Sequence, residues 1–551
     1  MTDSLSGILG RIGLFILCAF LCLPLLVILS SLLWPDVEAW QHLIDTVLTE
    51  YVVNSLLLTV GVGLGSLSIG GVTAWCMTQY QFTLRSVMRW CLLLPLAMPA
   101  YIIAYTYTGI LDVAGPLQTA LRATFGWQYG DYWFPEVRSL TGAIVLMSLV
   151  LYPYVYILGR TAFSEQSSRF SEVSELSGLS RWQKLWKVSL PLARPALFTG
   201  VALAMMEALA DYGTVHYFGI NTFTTGIFRS WYAMGNQLLA TQLAGILCMF
   251  VLIVLVLEQY SRKKIRYYQR SGYSTATYRK QLTGWKNAVV CLVCVLPVAL
   301  GFLIPVTQLM IWTMSTFSRL ISSDFFTLVM STFALGLIAA LMVVAIAMLF
   351  SYQQRWSNSR SAKWQIRLLS LGYALPGMVV AVGVLIVFGF ADKQLNHISY
   401  ALTGNYLGLL LSGTLAAALF AYCVRFLSVA IQNTEAGIAR ISPTIDNAAA
   451  SLGADKTRTL LFIHLPILRA SIISAVLLVF VDVLKELPAT LVLRPFNFNT
   501  LAVRAYELAS DERLVEAALP AITIVLVGLI PILLLTKTLD QPNRSQSVST
   551  K

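Results

Sequence analysis

Residues 172–191 read EVSELSGLSRWQKLWKVSLP, and residues 447–466 read NAAASLGADKTRTLLFIHLP. Both stretches carry a glycine at the same position and end in Leu-Pro. Gly178 and Gly453 are 275 positions apart, and the two Leu-Pro ends have the same separation. A register shared over this distance indicates an internal duplication, which constrains the architecture of a chain more strongly than any local pattern.

The composition places the chain in a lipid bilayer. Hydrophobic residues make up 57% of the 551 positions and charged residues only 12%, whereas soluble proteins contain roughly 25% charged residues. Apolar runs of membrane-spanning length recur along the whole chain. We predict about twelve spans, near residues 8–33, 53–78, 90–111, 140–159, 196–213, 238–257, 287–314, 328–350, 367–390, 405–430, 470–487 and 515–536. The expected fold class is therefore an all-α integral membrane protein.

The duplication extends well beyond the two quoted stretches. The same separation of 275 positions relates Glu207 to Asp482, Asp211 to Glu486, Thr225 to Thr500 and Arg229 to Arg504. We therefore predict two six-helix repeats, 1–257 and 287–551, joined by a basic cytoplasmic linker at 258–286 and followed by a short polar tail. Because each half has an even number of spans, the repeats are parallel and are expected to pack about an axis along the membrane normal.

The distribution of positive charge predicts the orientation. An even number of spans puts both termini on one side, and most of the 38 Lys and Arg residues fall on that side. The positive-inside rule then places both termini in the cytoplasm and the protein in the inner (plasma) membrane. The densest basic cluster, at 262–266, directly follows a span, so we expect it to contact lipid headgroups. We expect no nucleic-acid partner.

The two repeated stretches predict helix–turn–helix loops. In the first stretch, apolar residues alternate with Arg and Lys at a spacing typical of short amphipathic helices interrupted near Gly178. Leu-Pro is expected to end each stretch, because proline cannot continue a helix. Such a loop projects from the membrane and fits a groove on a partner. The alternative is an amphipathic connector that lies on the membrane surface.

These stretches resemble the cytoplasmic loop of type I importer permeases of the ABC family. That loop has Glu-Ala-Ala, three residues, Gly, nine residues, Ile, one residue and Leu-Pro. The residues that match or replace it here are Glu172, Gly178, Leu190, Pro191, Asn447, Gly453, Leu465 and Pro466. The resemblance implies two fused permease domains whose loops dock on ABC ATPase subunits, two copies in all. Asn447 replaces the acidic residue in the second loop, which weakens any essential role for that residue.

The chain has no phosphate-binding loop of the pattern GxxxxGK[ST]. We therefore expect ATP hydrolysis to occur on a separate polypeptide, and this chain to be a translocation subunit rather than an enzyme. Its four histidines are too dispersed to suggest a metal cluster. We expect no cofactor and no permanent metal site.

Ionisable residues inside predicted spans are candidates for the transport pathway, because a charge in the bilayer costs roughly 2.5–3.5 kcal/mol. These candidates are Glu207, Asp211, Asp482 and Glu486. Glu207 and Asp211 are four residues apart, and so are Asp482 and Glu486. Both members of each of these pairs are therefore expected on one helical face. The duplication then predicts four carboxylates around the pseudo-two-fold axis, an arrangement suited to a hard cation. In the alternative interpretation they end their helices at the outer surface, with Lys485 paired to one of them.

A second resemblance concerns the substrate. Residues 211–219, 222–229 and 486–495 resemble segments of the fused permeases of ferric-iron importers. This resemblance implies that a periplasmic binding protein delivers Fe3+, which the permease passes to the cytoplasm. Thiamine, a phosphonate or a secondary-transport mechanism are the alternatives. Arg229 and Arg504 are candidates for contact with the binding protein, although they are also explained as solvated surface charges.

Overall fold

The protein was analysed as a computed structural model that describes residues 2–165, 183, 185–263, 279–357 and 359–539. These residues are almost entirely helical. Among them, 11 helices are long and apolar enough to cross a membrane, or 12 when one strongly bent helix pair is counted as a span. The expected all-α integral membrane fold is confirmed.

The first half contains the helices α1 (Thr2–Ser31), α2 (Val37–Thr46), α3 (Leu48–Gln79), α4 (Arg85–Cys91), α5 (Ala100–Leu111), α6 (Pro116–Phe125), α7 (Leu140–Glu165), α8 (Leu190–Ala210), α9 (Gly213–Tyr217), α10 (Phe223–Phe228) and α11 (Gln237–Lys263). The second half contains α12 (Gly284–Val298), α13 (Ile304–Leu320), α14 (Ser323–Ser357), α15 (Arg360–Leu369), α16 (Gly377–Thr403), α17 (Leu415–Ile438), α18 (Pro443–Ser451), α19 (Lys456–Arg458), α20 (Leu465–Leu484), α21 (Pro488–Leu493), α22 (Leu501–Ser510) and α23 (Leu514–Leu539). Two short strands, β1 (Tyr80–Gln81) and β2 (Lys280–Gln281), pair in parallel.

The predicted span at 90–111 is wrong as a single helix. Two helical arms, Arg85–Ala97 and Ala100–Phe125, meet there at an angle of 93°. Pro99 lies at the junction, where its ring removes a backbone donor and prevents a continuous helix. The second half repeats this order, because α15 and a 3-10 turn precede Pro376 and the start of α16. Each of the other predicted spans overlaps one observed candidate membrane span, although 287–314 covers parts of both α12 and α13, and 367–390 covers parts of both α15 and α16.

The chain folds into two compact units that each draw on both sequence halves. Unit I contains Met1–Trp40, Ile227–Gly245 and Ile321–Arg504. Unit II contains Gln41–Gly226, Ile246–Leu320 and Ala505–Lys551. Unit I thus combines α1 with the core helices of the second half. The repeat boundaries at 1–257 and 287–551 describe the sequence and stay a prediction.

A buried ion pair connects two parts of unit I. Nη1 of Arg425 in α17 lies 2.5 Å from Oε1 of Glu486, and the side chains are only 11% and 5% exposed. The Ala489 N–H donates to the same carboxylate oxygen at 3.1 Å. Gly377 permits this approach, because a Cβ there would lie 2.2 Å from Nη1 of Arg425. Removal of either charge would leave the other without its nearest opposite charge in an apolar core.

The core of unit II is built on α3, α7 and α8, which pack closely against one another. Val62, Tyr152 and Ala204 supply fully buried side chains from these three helices. The Tyr107 hydroxyl finds a partner outside its own helix and donates to the Leu300 carbonyl at 2.7 Å. Such contacts are expected where hydrocarbon offers no alternative partner.

Replacing Arg425 with Met should lower the free energy of unfolding by about 3–5 kcal/mol, because Glu486 would lose its counter-charge in the core. The double variant Arg425→Met/Glu486→Gln should lose less than the single variant, because no uncompensated charge remains. Denaturation of the purified protein in detergent measures both effects. The exposed Arg360→Met variant is the control, and an equal loss in that control would contradict the role of the buried pair.

Candidate functional site

The second repeated stretch belongs to a helix–turn–helix at residues 443–464, here named the repeat loop. Its first helix, α18, is capped by the side chain of Ser442. The helix closes at Gly453, which has a φ of +77°, and the Ala454 N–H donates to the Ala449 carbonyl at 3.0 Å. A left-handed residue at this position favours glycine. A break of the kind predicted near Gly178 is therefore present at the matching position, Gly453.

The chain continues from this turn into the next span without interruption. Asp455 caps α19 by accepting the Arg458 N–H at 2.7 Å, and a π-helical turn, Thr459–His464, leads directly into α20. The expectation that Leu465 and Pro466 end the preceding helix is wrong. Pro466 is the second residue of α20 and directly follows the π-helical turn, so the irregular backbone at this junction accommodates a residue that has no N–H donor.

Arg355, near the end of α14, attaches the repeat loop to the spans of unit I. Its Nη2 and Nε lie 2.7 and 3.1 Å from Oδ2 of Asp446 in α18. Its Nη1 donates to the Ile438 carbonyl at 3.0 Å, and its Nη2 also donates to the Ile441 carbonyl at 3.1 Å. One planar guanidinium therefore neutralises a carboxylate and satisfies carbonyl groups at the end of α17.

His464 lies against Asp446 on another side, and Tyr352 stacks on His464. Nε2 of the fully buried His464 lies 2.7 Å from Oδ1 of Asp446. The rings of His464 and Tyr352 stack with their centroids 5.7 Å apart. The buried apolar cluster around Tyr352 contains Ile438, Ile441 and Leu468. Because these contacts join the loop to α14, α17 and α20, the loop and the three helices are expected to move together.

The exposed surface of the repeat loop carries small and apolar side chains in α18 and its turn, and charged side chains in and beside α19. Asn447 and Ala448 are exposed, whereas Ala449 is buried. Leu452, at the turn, is 88% exposed. Full burial of a leucine against a partner yields about 1.5–3 kcal/mol. The loop therefore offers a fixed base and an exposed apolar tip.

The first repeated stretch lies largely outside the described residues. Glu172 and Gly178 fall in that part of the chain. Leu190 and Pro191 are described, and they begin α8 directly after a π-helical turn, Leu185–Ser189. The same junction of π-helical turn, Leu-Pro and span thus occurs in both halves, which supports their equivalence.

The structure places Asp211 beyond the end of α8, which finishes at Ala210. Its carboxylate accepts the Thr214 N–H, the Thr214 hydroxyl and the Val215 N–H at 2.9, 3.0 and 3.2 Å. These N–H groups belong to the start of α9, where no intrahelical acceptor exists. The expectation that Asp211 shares a helical face with Glu207 is wrong, because Asp211 caps the following helix.

Glu486 occupies the equivalent position after α20, where it accepts the first free N–H of α21 and binds Arg425. Asp482 lies inside α20, and Nζ of Lys485 is 2.8 Å from its Oδ1. This contact of Lys485 is expected in the interpretation in which these acids end their helices at the outer surface. Glu207 is a partly exposed residue of α8. A pathway role for the four carboxylates stays a prediction.

Arg229 and Arg504 are both exposed. Arg229 begins a π-helical turn, Arg229–Ala233, and Arg504 lies in α22. The matched threonines each accept a backbone N–H: the Thr225 hydroxyl accepts that of Thr222 at 2.8 Å, and the Thr500 hydroxyl accepts that of Val503 at 3.4 Å. Contact between these arginines and a binding protein stays a prediction.

Sequence analysis missed a tyrosine–histidine cluster in unit II. Nδ1 of His216 lies 2.5 Å from the Tyr506 hydroxyl, and the Tyr212 ring stacks on His216 with centroids 5.0 Å apart. The two bonded residues are 290 positions apart in sequence, so only the run Asp-Tyr-Gly-Thr-Val-His-Tyr at 211–217 signalled them. Within the described ranges, no group of three or more His, Cys, Asp and Glu side chains is placed to hold a metal ion.

A protein family described as the binding-protein-dependent transport system inner membrane component matches residues 66–266 and 357–544. The chain belongs to this family. Two matched regions in one chain confirm two fused permease domains of the type I importer kind. This family membership agrees with the spans and with the duplicated loop, and it makes the chain a membrane permease of a binding-protein-dependent transporter rather than an enzyme.

Several characterised relatives share the sequence over different lengths. The Fe(3+)-transport system permease protein FbpB 2 of Haemophilus influenzae is 26% identical over 94% of this chain and 96% of its own length. The ferric transport system permease protein FbpB of Actinobacillus pleuropneumoniae is 22% identical over 79% of this chain and 63% of its own length. The sulfate transport system permease protein CysT of Escherichia coli is 27% identical over 37% of this chain and 72% of its own length.

Replacing Arg355 with Gln should loosen the repeat loop. The variant loses the bidentate contact with Asp446 and the bonds to two carbonyl groups, which together contribute about 1–3 kcal/mol. Cleavage by trypsin at Lys456 and Arg458 in the loop should therefore become about tenfold faster. The exposed Arg360→Gln variant, one helix further along, should be cleaved at the rate of the unmodified protein. Equal rates in all three proteins would show that Arg355 does not anchor the loop.

Proposed function

We propose that this chain is the membrane permease of an ABC importer, in which separate ATPase subunits drive transport by docking on the repeat loop and on its counterpart in the first half. One observation carries this proposal: Arg355 anchors the loop at 443–464 to α14 and to the end of α17, while Leu452 at its tip is 88% exposed. A loop with a fixed base and a bare tip transmits movement of a partner to the spans. The family to which the chain belongs supports this assignment.

The docking contact is apolar and closely packed. Asn447, Ala448 and Leu452 are exposed on the loop, so a partner groove would surround small side chains and bury one leucine. The loop motif of type I importer permeases has Glu at this position, whereas Asn447 is uncharged. Docking here therefore does not need attraction between opposite charges. Each half supplies one loop, which implies two ATPase subunits for each permease chain.

Replacing Leu452 with Asp should abolish docking, because a charge would enter the apolar groove. In the assembled transporter, ATPase activity stimulated by the binding protein should fall at least about tenfold, with the amount of permease in the membrane unchanged. Leu402 of α16, which is 79% exposed, provides the matched control Leu402→Asp, which should keep full activity. The Gly453→Pro/Leu465→Asp variant should be uncoupled in the same way. Unchanged stimulation in Leu452→Asp would refute docking at this loop.

In the proposed orientation both termini, the repeat loop and its counterpart in the first half face the cytoplasm, and the chain lies in the inner membrane. A periplasmic binding protein then docks on the opposite side. The exposed positions of Arg229 and Arg504 suit contact with acidic residues of that protein. The even number of spans and the basic loops support this orientation.

We propose Fe3+ as the substrate. Two relatives that match most of the chain carry Fe(3+) or ferric transport in their names, whereas the sulfate relative matches 37% of it. The cluster of Tyr212, His216 and Tyr506 places phenol and imidazole groups beside the segment that contains Asp211. Oxygen donors suit a hard cation, and weak, separated contacts suit a passing ion better than a closed cage. Glu207 and Asp482 are proposed as further contacts on the pathway.

Cells that lack and then regain this chain should recover uptake of labelled Fe3+, but not of thiamine or aminoethylphosphonate. The variant His216→Ala/Tyr506→Phe should lower Fe3+ uptake about tenfold, equivalent to about 1.4 kcal/mol on the transport barrier. The variant Glu207→Ala/Asp482→Ala should also lower it. Unit I offers a matched control, His397→Ala/Tyr400→Phe, in which both residues are exposed on α16.

The alternative outcomes separate the substrate from the mechanism. Recovery of thiamine or phosphonate uptake would remove Fe3+ as the substrate and leave the importer intact. Recovered Fe3+ uptake that is indifferent to His216→Ala/Tyr506→Phe would remove the proposed contacts and leave the substrate.

A further inference from the structure

Four arginines surround a cavity of about 200 Å³ in unit II. The residues that line it are Met77, Thr78, Arg85, Arg89, Arg160, Ser164 and Arg279. None of these lining residues, all of which the structure describes, is acidic. We name this feature the arginine cavity.

Three separate parts of the chain contribute the four arginines. Arg85 and Arg89 belong to α4, Arg160 lies near the end of α7, and Arg279 directly precedes β2. Parallel pairing of Tyr80 with Lys280 brings the end of the linker to the end of α3. A bond from the Leu282 N–H to the Gln81 carbonyl at 3.0 Å extends this pairing. The strand pair therefore positions the fourth arginine.

Other side chains and backbone groups orient the guanidinium groups. Nε of Arg85 donates to the Met77 carbonyl at 3.0 Å. The guanidinium of Arg160 lies 6.0 Å from the centre of the Tyr156 ring, and that of Arg89 lies 5.0 Å from the centre of the neighbouring Trp90 ring. Planar donors that are held in this way suit an oxyanion, because each guanidinium presents a fixed fork of N–H groups.

Positive charge is concentrated in this cavity, because Arg89, Arg160 and Arg279 all lie close enough to act on the charge of Arg85. An anion in the cavity would be attracted to each of these guanidinium groups. The other half does not repeat the cluster, because the position 275 residues after Arg160 holds Glu435. The cluster is thus a property of unit II and not of the duplicated framework.

The position of the cavity indicates the source of the anion. α3 ends at Gln79 and α7 ends at Glu165, so the cavity lies where two spans leave the hydrocarbon. Lipid phosphates occupy this depth of a bilayer, and basic pockets between spans bind anionic headgroups. Three of the arginines are partly buried and Arg279 is exposed, which leaves the cavity open to a ligand from the interface.

We propose that the arginine cavity binds a phosphate group, supplied by the headgroup of an anionic lipid or by free phosphate. Binding would offset part of the positive charge of the four arginines and connect α3, α4, α7 and the end of the linker through one ligand. The site would thereby stabilise the attachment of the linker to unit II. This role is separate from transport of the substrate and does not depend on which ion the permease carries.

The test uses the full purified chain and two probes. Retention of phosphatidylglycerol, compared with phosphatidylcholine, is measured by native mass spectrometry, and the effect of inorganic phosphate is measured by thermal melting. Whichever probe binds the unmodified protein should bind the Arg160→Gln/Arg279→Gln variant about thirtyfold more weakly, because two charges near the membrane surface are lost. Arg360→Gln/Arg367→Gln removes the same charge from α15 of unit I and should leave binding within about twofold of the unmodified protein.

The two probes distinguish the two sources. Selective loss of phosphatidylglycerol retention in the cavity variant supports a lipid headgroup, and selective loss of stabilisation by inorganic phosphate supports free phosphate. Binding that is equal in the cavity variant and the control for both probes would overturn the proposal. Arg279→Gln alone changes only an exposed side chain, and Arg160→Lys/Arg279→Lys keeps the charge. If the first variant does not fold, Arg279→Gln alone should still weaken binding, whereas Arg160→Lys/Arg279→Lys should retain most of it, and unchanged binding in Arg279→Gln would overturn the proposal.

Discussion

Every backbone N–H and C=O of this chain within the bilayer needs a partner inside the protein, because hydrocarbon supplies none. Long helices meet this requirement along their length, so the demanding positions are those where a helix ends near the membrane. After α8 and after α20, a carboxylate fills this need by accepting the free N–H groups of the next short helix. Asp211 and Glu486 therefore allow two spans to end where they do.

The two halves use this device with different partners. Asp211 is held by Thr214 and Val215, which are neutral donors, whereas Glu486 also binds the charged Arg425. The duplication thus preserved the position of the carboxylate while its surroundings diverged. This structural role explains why both acids directly follow a span.

Sequence reasoning predicted those features that depend on local pattern and length. The spans, the duplication and the turn at Gly453 belong to this class, because hydrophobic length and a left-handed glycine leave direct signals. The bend at Pro99 was missed, because the apolar run continues across it and hides the break. The π-helical turn before Pro466 contradicted the rule that proline ends a helix. The bond between His216 and Tyr506 was invisible, since 290 positions separate the two residues.

The repeat loop combines these themes, because its function depends on a rigid attachment to spans that are themselves fixed by internal hydrogen bonds. Arg355 and His464 provide that attachment, and Leu452 provides the surface for a partner. The most direct test is photo-cross-linking in intact cells from an amino acid introduced at Leu452, with Leu402 as the comparison site, followed by mass spectrometry of the adduct. The account predicts an adduct with an ATPase that carries a phosphate-binding loop from Leu452 and none from Leu402. Adducts without such an ATPase from Leu452, or the same ATPase adduct from both sites, would contradict it.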